Sequence, residues 1–226
     1  MNLMKPFLAF LIISISHITF AQSIKEAWQP LLEQEKIASY FAGMWESLGI
    51  NIEETKEAIT VFHKGDHFEI KDGVDPSSVD YNVFLQEKHI TRMLSHGEDG
   101  EIDAFESFKI MGSLFTPFTR SSLTHPMMNK SFQMKLAKIE NHVHVYLNSP
   151  TNDEFVAHTL LFINKKWLVV DGIQGDAKRV FNITPQQAID YQRAAFSAQK
   201  GDSKKSWRAF KKFYLQWRTE VSDVIE

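Results

Sequence analysis

The chain has 226 residues, a formal net charge of −3, 43% hydrophobic residues and no cysteine. The mild acidity speaks against a general nucleic-acid binder, and the missing thiols exclude disulfides, thiolate catalysis and cysteine-ligated zinc or iron–sulfur centres. A chain of this size and apolar content can bury a core without covalent staples.

Residues 1–21 read as a secretory signal peptide. Lys5 supplies the positive n-region, Phe7 to Ile13 an unbroken apolar core, and Thr19-Phe20-Ala21 the small residues before a cut after Ala21. Ser14, Ser16, His17 and Thr19 interrupt the apolar run well short of the roughly 20 residues a spanning helix needs. A lipid anchor would require a cysteine at the cut. The mature protein is therefore expected to be exported and soluble, in a periplasm or the surrounding medium.

From Ile24 to Leu48 the stripe Trp28, Leu31, Leu32, Ile37, Phe41, Met44, Trp45 and Leu48 predicts an amphipathic helix stopped by Gly49. Glu57–His63, His67–Lys71 and Val79–Leu85 predict three strands of an antiparallel meander, separated by Lys64-Gly65-Asp66 and Asp72-Gly73. Glu87–His96 returns to helical spacing. Ala104–Phe108 predicts a helical turn that feeds a strand through Phe108, Ile110 and Gly112.

Beyond Pro126 the pattern predicts strands at Ser131–Leu136, His142–Leu147, Phe155–Asn164 and Lys166–Asp171, with Asn164-Lys165-Lys166 at a hairpin tip. Thr184 followed by Pro185 starts a helix that runs to about Ala198. After Gly201-Asp202-Ser203, a last helix from Ser203 to Val224 carries Trp207, Phe210, Phe213, Tyr214 and Trp217, interleaved with lysine and arginine. No internal repeat stands out. The expected class is α+β, an antiparallel sheet packed with an N-terminal helix and a helical C-terminal extension. Residues 22–125 form one α+β region, and 126–226 add a hairpin and two helices packed on it as one unit.

Several segments between Pro30 and Leu123 carry a family likeness. His67-Phe68-Glu69-Ile70 before Asp72-Gly73, Val79 to Leu85, Ile90 to Gly97, and Ala104 to Gly112 follow each other as the strands and helices of the sterol-carrier-protein-2 domain do. The chain resembles that family over less than half of its mature length. The resemblance implies a non-catalytic carrier that takes a lipid or other apolar small molecule in a tunnel, without a cofactor. Phe41, Met44, Trp45, Phe68, Phe84, Met93, Phe108, Met111 and Phe115 are the residues that would line such a pocket, mainly apolar and aromatic as pockets are. The same nine would equally serve as ordinary core.

Other constellations point elsewhere. His142 and His144 share a strand face, and with His158 they supply three imidazoles for a candidate zinc site, with Asp171 and Glu140 as carboxylates for its outer shell. The early helix near a tryptophan and the hairpin Phe162 to Val169 resemble the nuclear-transport-factor-2-like superfamily, whose members include isomerases, cyclases, dehydratases and plain binding proteins. In that case Asp171 and His144 are the acid–base candidates. A structural or partner-binding periplasmic domain is the third reading. An antiparallel sheet over Glu57–Leu85 with the helix after Leu85 packed across its face suits the carrier, and a curved sheet around Phe155–Asp171 suits the second family. No Gly-x-Ser-x-Gly elbow, phosphate loop or dinucleotide fingerprint occurs. The basic and aromatic last helix is also what a transient membrane-surface contact would use. Nothing in the sequence sets an oligomeric state.

Overall fold

The computed structural model describes residues 23, 25, 26, 29, 38, 39, 41–87, 112, 115, 116, 119, 123 and 130–224. The signal peptide, Met93, Phe108, Met111 and the helix expected at Glu87–His96, apart from its first residue, lie outside them. The class is α+β, with two mixed sheets and helices between and after them.

The described helical positions begin behind Ser23. The Ser23 hydroxyl accepts from the Glu26 amide (3.2 Å), and the Glu26 carboxylate accepts from the Ser23 amide (3.3 Å), a reciprocal capping box. The helical positions end at Phe41, because Gly43 adopts a positive φ of 75° and turns the chain. The expected continuation to Leu48 is therefore replaced by a strand, β1 (Ser47–Ile52). It is followed by β2 (Ala58–His63), β3 (Phe68–Asp72) and β4 (Tyr81–Leu85). The order is β3-β2-β1-β4. The meander is thus β1, β2 and β3, while β4 crosses over to run parallel to β1 instead of pairing with β3.

The second half opens with helix α1 (Lys130–Ile139). Ser131–Leu136 was expected as a strand from its alternation, but the buried positions Leu136, Ala137 and Glu140 follow helical spacing. Strands β5 (His142–Asn148), β6 (Phe155–Ile163), β7 (Lys166–Asp171) and β8 (Arg179–Ile183) come next. Asn164 and Lys165 form the two-residue β6–β7 turn at positive φ (51° and 63°), the twist a tight hairpin requires. Helix α2 (Pro185–Gly201) starts at the Thr184 and Gln187 capping box and stops at Asp202 in the left-handed region. Helix α3 (Lys204–Val221) is capped by Ser203, and β9 (Ser222–Val224) closes the second sheet in the order β7-β6-β5-β8-β9. Among the described residues no helix is long and apolar enough to cross a membrane.

The two sheets repeat one topology. In each, a three-strand meander is followed by a fourth strand parallel to the first. The registers match residue for residue: Ile50 opposite Ile59 corresponds to Val145 opposite His158, and Ile52 opposite Leu85 corresponds to Leu147 opposite Ile183. Even the turn chemistry repeats. Gly73 and Gly172, both at positive φ, donate their amides to Ala58 O and Ala157 O at 2.8 Å each. Thr60 Oγ1 donates to Gly73 O (2.7 Å), and Thr159 Oγ1 to Gly172 O (2.8 Å).

Helix α2 joins the two units. Ile189 and Phe196 enter the core of the first sheet, and Ala188 enters that of the second. Arg193 Nε donates to Ala42 O (2.8 Å), Tyr81 donates to Gln199 Oε1 (3.2 Å), and Lys200 pairs with Glu46 (2.7 Å) and Asp80 (3.1 Å). Helix α3 then packs Phe210 on α2 and Tyr214, Trp217 and Val221 over the second sheet. Its aromatic face is thereby occupied, and Lys204, Lys205, Arg208, Lys211 and Lys212 remain exposed.

The duplicated threonines differ in load: Thr159 Oγ1 also accepts from the Gln174 amide (2.9 Å), whereas Thr60 carries one bond. Thr60→Val should cost about 1 kcal/mol and Thr159→Val roughly twice that, since each unmade buried bond costs about this much. Urea denaturation midpoints of the two variants measure the difference.

Candidate functional site

An apolar cavity of about 120 Å³ lies on the inner face of the second sheet. The pleat puts Val143, Val145, Leu160, Trp167, Phe181 and Ile183 on that face. Leu136 of α1 and Ala188, Tyr191 and Gln192 of α2 form the sides, Tyr214 and Trp217 of α3 close it, and Phe41, Met44, Phe115, Thr119 and Leu123 complete the wall. One lining residue, Glu140, is a carboxylate.

Why the cavity is in the second unit and not the first follows from the repeat. His63 N donates to Glu46 O and Phe162 N to Asn141 O, so the residues just before, Trp45 and Glu140, occupy equivalent places. Likewise Phe68 opposite His63 matches Trp167 opposite Phe162. In the first unit the Trp45 indole stacks on Phe68 (centroids 5.3 Å, 21° between planes) and tilts against Phe41, filling the space under the sheet. In the second unit a shorter, charged side chain takes the place of that indole.

Glu140 is 3% exposed. Arg179 Nε stands 3.4 Å from Oε2, and Arg218 Nε forms an ion pair with Oε1. Two guanidiniums against one carboxylate leave the cluster one positive charge in excess. The Tyr214 phenol stands beside the same carboxylate. Burial, and then the neighbouring Glu140 charge, hold the Tyr214 phenol well above its ordinary range; burial pushes Tyr191 up to about 12. Both phenols are neutral at physiological pH.

Of the residues expected to line a pocket, Phe41, Met44 and Phe115 are at the cavity. Trp45 and Phe68 are packed against each other in the core of the first unit. Phe84 stands on the open face of β4 and is 54% exposed, because the alternation of the strand turns it away from Val83 and Leu85. The carbonyl of Gln174 faces both His142 Nε2 (2.8 Å) and His144 Nε2 (3.3 Å). His158 is on the opposite face of that sheet, since it pairs directly with Val145, which lines the cavity. The three imidazoles do not converge, and no group of three potential metal ligands occurs among the described residues.

Asp171, expected with His144, is instead the cross-strand partner of His158, 3.4 Å from its Nδ1. Thr116 Oγ1 donates to Asp171 Oδ1 (2.5 Å) and lies 3.2 Å from the same Nδ1. With its own hydrogen given to the carboxylate, the Thr116 oxygen accepts, so the geometry places the proton on Nδ1. His158 Nε2 is buried and has no hydrogen-bond partner among the described residues. The ring stacks under Phe115 at 4.4 Å, which separates it from the cavity. Sequence reasoning missed Glu140 as a cavity residue and missed the contributions of α2 and α3. The only signal for these was the aromatic spacing of Tyr214 and Trp217.

No known protein family, curated protein or solved structure matches the chain. The described residues form an α+β protein of two topologically equivalent units, with the apolar cavity beneath the second sheet.

Burial lowers the His158 pKa, and this outweighs the opposing attraction of Asp171. A depressed folded value means that the unfolded chain takes up this proton first. Stability is full above the unfolded value of about 6.5 and falls as pH drops below it towards the folded value. Urea midpoints should therefore fall between pH 7.5 and 5.5. His158→Ile, the residue type at the equivalent position Ile59, should make that fall shallower.

Proposed function

We propose that the protein is an exported, non-catalytic binding protein for an apolar small molecule or a lipid segment, held in the cavity of the second unit. The observation that carries this reading is a cavity walled almost wholly by aliphatic and aromatic side chains from a sheet and several helices. An enclosed apolar void of about 150 Å³ in a protein interior stays dry and takes up benzene. A volume of about 120 Å³ thus suits a single ring or the end of an acyl chain. A larger lipid would enter with only its tip enclosed, unless α3 moves outward. The ligand class agrees with what the sterol-carrier-protein-2 resemblance implies.

Export is supported by the capping box at Ser23, which gives the first helix its own start two residues beyond the expected cut after Ala21. The exposed basic face of α3 is the surface through which such a carrier would meet an anionic bilayer. A second reading, acid–base chemistry of the nuclear-transport-factor-2-like kind, draws on the Asp171–His158 pair with its bare Nε2. Phe115 stacks on the His158 ring, which is buried while Asp171 is exposed, and a base must reach the proton it removes.

Native mass spectrometry of protein purified from its own compartment should show a reproducible apolar adduct. Ala188→Phe fills the cavity from α2. It should abolish the adduct and lower benzene affinity at least tenfold while the urea midpoint holds or rises. Unchanged benzene affinity in this variant would place any binding elsewhere and end the reading.

A further inference from the structure

The two units also differ on the side of the sheet turned away from the cavity. Successive residues of a strand alternate between faces, so with Leu160 and Trp167 lining the cavity, Leu161, Ile163, Leu168 and Val170 of the β6–β7 hairpin lie on the outer face. Ile163 and Leu168 are each 47% exposed, and Leu161 and Val170 are half-buried. The β7–β8 connection crosses the same face. There the Gln174 amide donates to Thr159 Oγ1 (2.9 Å), and Ile173 is left exposed on the connection.

The first unit supplies the comparison. By register, Ile163, Leu168 and Val170 stand where it has Lys64, Glu69 and Lys71. The two lysines cover Phe62, the one large apolar side chain on the outer side of the β2–β3 hairpin, with Nζ 5.4 and 4.9 Å from its ring centroid. Val74, the counterpart of Ile173, packs on Gly49 so closely that an added Cβ would come within 2.5 Å of it. His144 fills that place in the second unit. One backbone therefore folds with a charged outer hairpin in one copy and an apolar one in the other, and the apolar face is not a requirement of the fold. Exposed apolar patches of this kind mark contact surfaces.

The charges at the two ends of the hairpin name the occupant. Exposed Lys165 and Lys166 stand at its tip, and exposed Asp153 and Glu154 precede the other end of β6, whose nine residues span about 30 Å. A surface that is positive at one end, negative at the other and apolar between them complements itself after half a turn. In that arrangement the facing strands run antiparallel, and each lysine tip meets the acidic end of the other copy. The exposed Phe155 ring at the acidic end then reaches the Ile163 end of its partner. With parallel strands the two lysine tips would abut and repel. We propose that the protein forms a two-fold dimer through the outer face of the second sheet, the two sheets stacked about 10 Å apart with antiparallel strands. The cavity is on the inner side of the same sheet, so the dimer does not depend on what the cavity holds.

Sedimentation equilibrium of protein purified from its own compartment should show dimers at a concentration on the order of 100 µM, as suits a small interface. Leu168→Glu with Val170→Lys installs the residues of the first unit, which the same strand geometry already carries there. It should weaken association at least tenfold and leave the far-ultraviolet dichroism unchanged. Lys165→Glu with Lys166→Glu should weaken association about tenfold, and adding Asp153→Lys and Glu154→Lys should restore it, because the reversed ends complement each other again. A protein that stays monomeric at that concentration, or a dimer indifferent to Leu168→Glu with Val170→Lys, overturns the proposal. A fourfold charge reversal that fails to restore association overturns the antiparallel arrangement.

Discussion

Burial of α2 from two sides is the constraint on which the molecule depends. A half-covered sheet exposes apolar side chains on one face, and each unit here needs a helical layer to cover it. The first sheet is covered by Phe41, Met44 and Trp45 from the segment before β1, together with Ile189 and Phe196 of α2. The second borrows Ala188 from the same helix and adds α3. Since one helix serves both cores, and Arg193, Gln199 and Lys200 tie it to the first unit through polar contacts, the units are fixed relative to each other.

That shared wall explains the hollow. Two copies of one strand topology meet the same helix, but the indole that fills the first is a carboxylate in the second. The apolar wall of a cavity of about 120 Å³ forgoes packing contacts that a filled core would make. The buried Glu140 cluster adds desolvation that its ion pairs only partly offset. A bound molecule that fills the void would offset the first of these costs.

Much of the local structure was legible in the sequence. Asn164-Lys165 gave the hairpin because two β-prone runs flank it, and Thr184-Pro185 gave the start of α2 because cap and fixed φ coincide. Strand β1 was hidden because Trp45 and Leu48 continue a helical stripe that Gly43 breaks in the folded chain. The strand expected at Ser131–Leu136 is α1, since Leu136 and Glu140 satisfy helical spacing as well as Leu136 satisfies alternation. Parallel pairing of β4 with β1 and of β8 with β5 leaves no local mark, and so the duplication was invisible: Ala58, Thr60, Asp72 and Gly73 recur at the same spacing as Ala157, Thr159, Asp171 and Gly172, but little else in the two segments matches, and the connection from first to second strand is longer in the second unit. The pocket residues were sought mainly before Leu123. The wall of the cavity is drawn largely from residues after it, which only the crossover of β8 and the return of α2 bring together.

The central claim is that two equivalent units differ in one respect, a filled space beneath the first sheet and an empty apolar one beneath the second. Crystallography under xenon pressure tests it most directly, because xenon enters apolar voids and not packed cores. The account predicts one xenon site enclosed by Val143, Leu160, Trp167 and Phe181, and none between Trp45 and Phe68. A crystal without the first site, or with xenon under the first sheet, would contradict it.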